Sequence, residues 1–208
     1  MATTTFSGAV RSKGGFTSVS ENATTGAFTT LSSISSTGVS SFDANTMAVE
    51  AGTGITTGSG TIYRSAVQRM GGIITTRILI DLTGLRSTGS GDIIGVDGTA
   101  LVCHIGQITA AKNGTILTGS MECFEAPTGG DPDINIHSAT EGTGVEDGAI
   151  SSLSETLLVN AGDATLGSKV YFTAVPAADE FLYLTTGDAT DADYTAGKLF
   201  IELMGYEA

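Results

Sequence analysis

The chain has 208 residues, 40% of them hydrophobic and only 15% charged, with 29 Gly, 3 Pro and no Trp. That length suits one domain, or one domain with an arm, and is enough to bury a real core. The net charge of −13 is uneven: up to Met121 seven basic residues meet six acidic ones, and from Glu122 onward two meet sixteen. The acidic part would repel phosphates, which argues against a nucleic-acid partner. The near-neutral part is the better candidate for contact with a protein surface, although charge of this kind also simply keeps a protein soluble. Few aromatics and no Trp leave no stacking platform for bases or sugars. The opening MATTTFSGAV has neither a basic n-region nor an apolar h-region, so no signal peptide is expected. No run approaches the roughly 20 apolar residues of a membrane span.

Residues 1–60 are rich in Thr, Ser, Gly and Ala, with scattered apolar anchors that include Phe6, Val10 and Phe16. Such a segment buries little of itself and needs another surface to lie on. It reads as an extended N-terminal arm with one or two short strands, preceding a β-domain over 61–208. The first clear strand runs from Thr61 to Val67. After Gly71 and Gly72, GIITTRILIDL places Ile74, Thr76, Ile78, Ile80 and Leu82 on one face, with the β-branched content a strand prefers. Residues 84–91 read as a loop. Asp92 to Val96 reads as a short strand closed by the turn Asp97–Gly98.

The runs Ala100–Thr109 and Thr115–Phe124 flank KNGT, and Asn113–Gly114 between apolar runs predicts a hairpin. Residues 125–133 form a loop into a short apolar run at Ile134 and Ile136, and residues 138–149 read as a mobile acidic loop. Ile150 to Asn160 is the one helix candidate, capped by Ser151, with Leu153, Leu157 and Leu158 on one side. Lys169 to Val175 is another strand. The chain then closes with two apolar runs, Phe181–Leu184 and Lys198–Met204, around the polar stretch TTGDATDADYTAG. In the second run Leu199, Ile201 and Leu203 alternate with Lys198, Phe200, Glu202 and Met204, which predicts a strand with one strongly buried face tied into a sheet. Eight to ten short strands, at most one short helix and no alternation of strand with helix give an all-β class: an antiparallel β-sandwich, jelly-roll-like, with an extended arm.

Chemistry is sparse. His104 follows Cys103 on a strand, where neighbours point to opposite faces, so the two do not make a catalytic pair. No G-x-S-x-G, phosphate-binding loop, H-E-x-x-H or C-x-x-C is present. His104 and His137 read as structural, and Cys103 and Cys123 as buried thiols that could also bridge neighbouring strands. Asp188, Asp191 and Asp193 could offer oxygen ligands to a cation, but their spacing is not that of an EF-hand, and a solvated turn is the simpler reading. No enzyme activity, cofactor or metal is expected.

Two sets of motifs carry a resemblance. FSGAVRSKGGF is similar to an N-terminal tag on many virion structural proteins of tailed bacteriophages, particularly marine ones. AGTGITTGSGTIYRSAVQRMGGIITTRILIDLTGL, DIIG, MECFEAPTGGDPDI and LYLTTGDATDADYTAGKLFIELMGYE together resemble a widespread family of small phage head proteins, the capsid decoration or cement proteins. The resemblance covers most of the chain from Ala51, in turn-and-strand patterns. It implies a non-enzymatic, all-β virion protein, made in the bacterial cytoplasm, that binds the major capsid protein on the outer shell as a homodimer or homotrimer. No nucleic acid or membrane partner is implied. The arm around Phe6, Val10 and Phe16 is the expected capsid contact. The alternative expectation is a β-rich tail or fibre adhesin that binds a host glycan.

Overall fold

The computed structural model describes the strand segments Phe16–Glu21, Phe28–Ile34 and Ser40–Phe42, and residues 48–98 and 100–207. The chain divides into two compact units, Met1–Met47 and Ala48–Ala208. In the first unit, β1 (Phe16–Glu21), β2 (Phe28–Ile34) and β3 (Ser40–Phe42) form an antiparallel sheet in the order β1-β2-β3. Its register pairs Phe16 with Ile34 and Ser32 with Phe42. The expected domain boundary at residue 60 falls instead at 47/48. Residues 48–60 belong to the second unit, where Val49 and Ile55 are buried in its core.

The second unit contains α1 (Thr53–Thr56), β4 (Ile62–Met70), β5 (Ile73–Asp81), β6 (Arg86–Ser87), β7 (Gly106–Gln107), α2 (Ala110–Asn113), β8 (Thr115–Thr128) and β9 (Ile134–Ala139). A 3-10 turn at Ile150–Ser152 follows, then β10 (Glu155–Val159), β11 (Lys169–Tyr171), β12 (Phe181–Thr186), β13 (Ala192–Asp193) and β14 (Ala196–Tyr206). A five-stranded sheet runs β11-β8-β14-β5-β4 and a four-stranded sheet β10-β9-β12-β7, with β13 and β6 as a separate small ladder. Every pairing in these sheets is antiparallel. The class is all-β and sandwich-like.

The burial pattern differs between the two sheets. β14 and β5 alternate: Leu199, Ile201 and Leu203 are fully buried, as are Ile78 and Ile80, while Lys198, Phe200, Glu202, Arg77 and Leu79 point to the other face. Such strands have one core face and one outer face. β9 and β12 do not alternate: all of β9 is buried, and so is β12 beyond Phe181. A strand buried on both sides needs cover on both. One side of this sheet contributes to the apolar core shared with the five-stranded sheet. The loop after β9 supplies cover at Tyr183, whose hydroxyl donates to the Glu141 carbonyl at 2.7 Å and accepts the Gly144 N–H at 3.2 Å. Residues 138–149 are therefore not merely a surface loop: Ser138 and Ala139 end β9, and Gly144 and Glu146 are buried.

Further expectations are corrected. KNGT is not a hairpin. Ala110–Asn113 is a helical turn whose N-cap Thr109 accepts the Lys112 N–H, and the chain passes from β7 in one sheet to β8 in the other. Asn113 is buried, accepting from the Thr109 N–H at 2.9 Å and donating to Thr76 Oγ1 at 2.7 Å, so its side chain closes the turn and a core contact together. Gly114 has φ +68°, and a Cβ there would sit 2.3 Å from the Tyr206 carbonyl oxygen. Asp92–Val96 makes isolated bridges, Asp92 to Ala149 and Ile93 to Thr185, and no strand. The helix expected at Ile150–Asn160 is a single 3-10 turn followed by β10. Pairing with β9 overrides the weak helical pattern, Ser151 lies inside the 3-10 turn and caps nothing, and Ser154 gives its N–H and hydroxyl to the Glu141 carboxylate. The two closing apolar runs, β12 and β14, lie in different sheets. The first clear strand extends to Met70, and the strand expected over Lys169–Val175 stops at Tyr171.

Candidate functional site

Phe6 and Val10 lie outside the described residues. Phe16 opens β1, and its side chain is likewise outside them. The candidate site is therefore built from the second unit.

The outer face of the five-stranded sheet is fixed by register. Across it β4 presents Ile62, Arg64, Ala66, Gln68 and Met70, and β5 presents Ile73, Thr75, Arg77, Leu79 and Asp81. β14 continues the rows with Lys198 opposite Asp81, Phe200 opposite Leu79, Glu202 opposite Arg77 and Met204 opposite Thr75. On β8 a register shift near Lys198 puts Phe124 on the same face, where its ring stacks on Phe200 at 5.2 Å and 9°. Lys169 and Tyr171 of β11 complete the face.

Two properties distinguish this surface. Seven of the eleven exposed large apolar side chains among the described residues lie on it, with Met70 at 74%, Tyr171 at 67%, Phe124 at 48% and Met204 at 41% exposure. A clustered apolar surface, unlike a scattered one, marks a site of contact. Its charges also cancel. Arg64, Arg77, Lys169 and Lys198 stand against Asp81, Glu122, Glu125 and Glu202, whereas the rest of residues 48–208 carries sixteen acids and three bases. Cross-strand pairs achieve this: Arg77 to Glu202 at 2.8 Å, Lys169 to Glu122 at 3.4 Å, and Lys198 to both Asp81 and Glu125. At Asp81 burial pushes the carboxyl up, but hydrogen bonds from the Thr83 hydroxyl and N–H, with Lys198 beside it, outweigh that and hold it below the usual carboxylate range. Thr118, Ser120, Tyr171, Glu202 and Met204 border a shallow depression of about 130 Å³ on the face.

The acidic loops behave differently. The Arg86 guanidinium holds Asp191 at 2.8 Å and Asp193 at 3.0 Å, with Asp97 at 3.8 Å. Arg86, Asp97 and Asp191 border an open cleft of about 550 Å³ that also takes in Asp92, Glu146 and Asp147. Burial, then the nearby Asp147 and Asp97 carboxylates, push the Glu146 pKa up. Asp131 is fully buried: its carboxylate accepts the N–H groups of Asp133 and Asp188, and its carbonyl accepts the Tyr194 hydroxyl at 2.8 Å. Burial raises the Asp131 and Asp133 pKa values, and neighbouring carboxylates add to the effect. Of the three carboxylates considered as cation ligands, Asp191 and Asp193 are thus committed to Arg86, and Asp188 engages Asp131 through its main chain. Among the described residues no group of three or more His, Cys, Asp or Glu is arranged to hold a metal ion.

The remaining chemistry-bearing groups pack. Cys103 and Cys123 are free and buried. Burial pushes the Cys103 thiol up to about 11, so it stays protonated at neutral pH, and its Sγ donates to the Leu101 carbonyl at 3.2 Å. Burial lowers the His104 pKa, and its ring lies 5.0 Å from Phe181. His137 Nδ1 is 2.7 Å from Glu155 across the β9–β10 pair.

Phe124, Phe200, Met204 and Tyr171 of this face leave little mark in the sequence. One signal was available: apolar Phe200 and Met204 sit at the positions of the β14 alternation that should face water. Among the described residues no helix is long and apolar enough to cross a membrane. Compared with protein-family models, with curated proteins and with solved structures, the chain matches none.

Proposed function

We propose that this protein is a structural virion component that binds the outer surface of a phage capsid shell as a decoration, or cement, protein and stabilises it. One observation carries the reading: an apolar-enriched, charge-neutral sheet face on a protein that is otherwise strongly acidic. Four strands of nine or more residues, spaced about 4.8 Å apart at about 3.4 Å per residue, cover about 19 by 30 Å, and the three-residue β11 adds a short strip. That is roughly 600 Å², somewhat below the roughly 800 Å² per partner of a standard protein interface. Apolar side chains there supply non-directional attraction, and the paired charges add no net repulsion against a shell subunit. The acidic loops would then face solvent and keep the decorated particle dispersed. The major capsid protein is the partner in this reading. Many copies, each with modest affinity, would sum to a stabilised lattice.

The test is co-sedimentation of the full chain with expanded, undecorated capsids, reading stoichiometry from the pellet. Saturable binding at one or a few copies per capsomer supports the reading. A Phe124→Glu, Tyr171→Glu double variant should lose at least about tenfold in affinity, since charges buried against an apolar partner are costly. Absence of binding by the wild type would overturn the proposal, and the tail or fibre adhesin would then be taken up with a glycan-binding screen.

A further inference from the structure

The edges of the two main sheets are not equally protected. A free edge exposes unpaired main-chain N–H and C=O groups and invites another strand, so natural edges are kept short, bulged or charged. β7 has two residues and β11 three, and β10 carries a register shift between Leu157 and Val159. β4 is nine residues long and pairs with β5 in unbroken register, and it contains no Pro, Lys, Asp or Glu. Among the described residues, no main-chain partner other than β5 engages Ile62–Met70.

The turn that makes β4 also sets which of its groups are free. Met70 pairs with Ile73 across the two-residue loop Gly71–Gly72, whose φ angles of +56° and +88° are both positive, as a type I′ turn requires. In such a hairpin the residues flanking the loop exchange hydrogen bonds, and the pairs then alternate. The even-numbered residues of β4 thus bond to β5, and Tyr63, Ser65, Val67 and Arg69 direct their main-chain groups outward. One detail agrees with this: Arg64 Nη1 donates to the Tyr63 carbonyl at 2.8 Å, filling an acceptor that the sheet leaves open. Ser65 and Tyr63 also grip the Val49 main chain, but through their side-chain hydroxyls.

We propose that β4 is a self-association edge, pairing antiparallel with β4 of a second copy about a twofold axis at Ala66 to give a continuous ten-stranded sheet. Two constraints select this register. Outward groups sit on odd-numbered residues, so an odd residue must face an odd one. Overlap of all nine residues then leaves a single solution, in which Ile62 faces Met70, Arg64 faces Gln68, and Ala66 faces itself. The sequence is self-complementary there. Two exposed apolar side chains meet at each end, no like charges are opposed, and only a small residue lies on the axis. The two Arg64 side chains stand four positions apart along the ladder, about 14 Å, beyond the roughly 8 Å screening length at physiological salt. Arg69 is neutralised within its own chain by Glu207 at 3.1 Å. A second copy is therefore the occupant that this edge fits. The inference does not rest on capsid binding, although pairing would join two neutral faces into one.

Sedimentation equilibrium of the full chain tests it, together with two variants at Ala66, whose exposed side chain lies off the core. The wild type is expected to be a dimer at high micromolar concentration. Ala66→Lys, which sets two ammonium groups against each other on the axis, should weaken dimerisation about tenfold or more. Ala66→Cys should form an intermolecular disulfide under mild oxidation, because directly opposed residues that do not share hydrogen bonds have Cα atoms about 4.5 Å apart. The native thiols are buried and should give little background. A monomeric or trimeric wild type, a dimer indifferent to Ala66→Lys, or an Ala66→Cys protein that fails to cross-link would each overturn the proposal.

Discussion

The outer face of the five-stranded sheet and the cleft at Arg86 both hold many ions, and they manage them in opposite ways. On the sheet, the ladder spaces residues evenly, so Arg77 meets Glu202 and Lys169 meets Glu122 as cross-strand neighbours. In the cleft, three parts of the chain bring carboxylates together, and one guanidinium holds Asp97 and Asp191 there and Asp193 beside it. A regular ladder can distribute neutrality along itself, whereas a loop cluster concentrates its dependence on one residue. The sheet face should therefore tolerate changes to its ions, and the cleft should not tolerate loss of Arg86.

The largest expected effect comes from the far side of the same sheet. Ile201 is fully buried at the centre of β14, and Ile201→Ala should cost about 3 kcal/mol in chemical denaturation. If it costs no more than a substitution on the outer face, the division into a stabilising inner face and a free outer face fails. Next comes Arg86→Met, which leaves three aspartates without their cation and the β13–β6 ladder facing mutual repulsion. Its melting temperature should fall, and added salt should recover more of the loss than it gives the wild type, because salt screens repulsion. Equal salt responses would show that Arg86 does not organise the cleft.

The acidic region should also show in the pH dependence. Asp131, Asp133 and Glu146 have folded pKa values above their ordinary ones, so the folded state binds more protons than the unfolded state between the two values. These groups therefore contribute stability as pH falls from neutrality through their folded values. Asp81 is shifted the other way, and its contribution is present above its unfolded value and lost as pH falls through the lower folded one. The melting temperature should rise modestly from neutral to mildly acidic pH, then drop below the ordinary carboxylate range of about 4. A steady fall from pH 7 downward would contradict the raised values. The smallest effect is expected at the exposed pair Arg77 and Glu202: replacing both by Gln should change stability by within about 0.5 kcal/mol. A larger loss would mean that the outer face is held together by its ions and is not simply available for docking.

Much of the core was legible in the chain itself. The alternation in Ile73–Asp81 and Lys198–Met204 identified Ile74, Ile78, Ile80, Leu199, Ile201 and Leu203 as inward, because a strand's two-residue period is local and leaves its mark on hydrophobicity. The all-β class followed from β-branched runs and turn residues in the same way. Of the candidate site, only Phe200 and Met204 left a trace, as apolar residues out of phase.

Partnership between segments was decided in three dimensions. Asn113–Gly114 carries a hairpin signal, yet Asn113 is drawn inward to Thr76 and the chain changes sheets there. Leu153, Leu157 and Leu158 suggest a helix in isolation, yet β9 offers a strand to pair with. β12 and β14 are near neighbours in sequence but belong to different sheets. Periodicity reports the local environment of one element, whereas strand pairing depends on main-chain groups that every residue shares and so leaves little trace in the side chains. The neutrality of the outer face arises in the same way. It sums side chains from five strands, with Ile62 and Tyr206 at its sequence extremes, and only the register of the sheet brings them onto one surface.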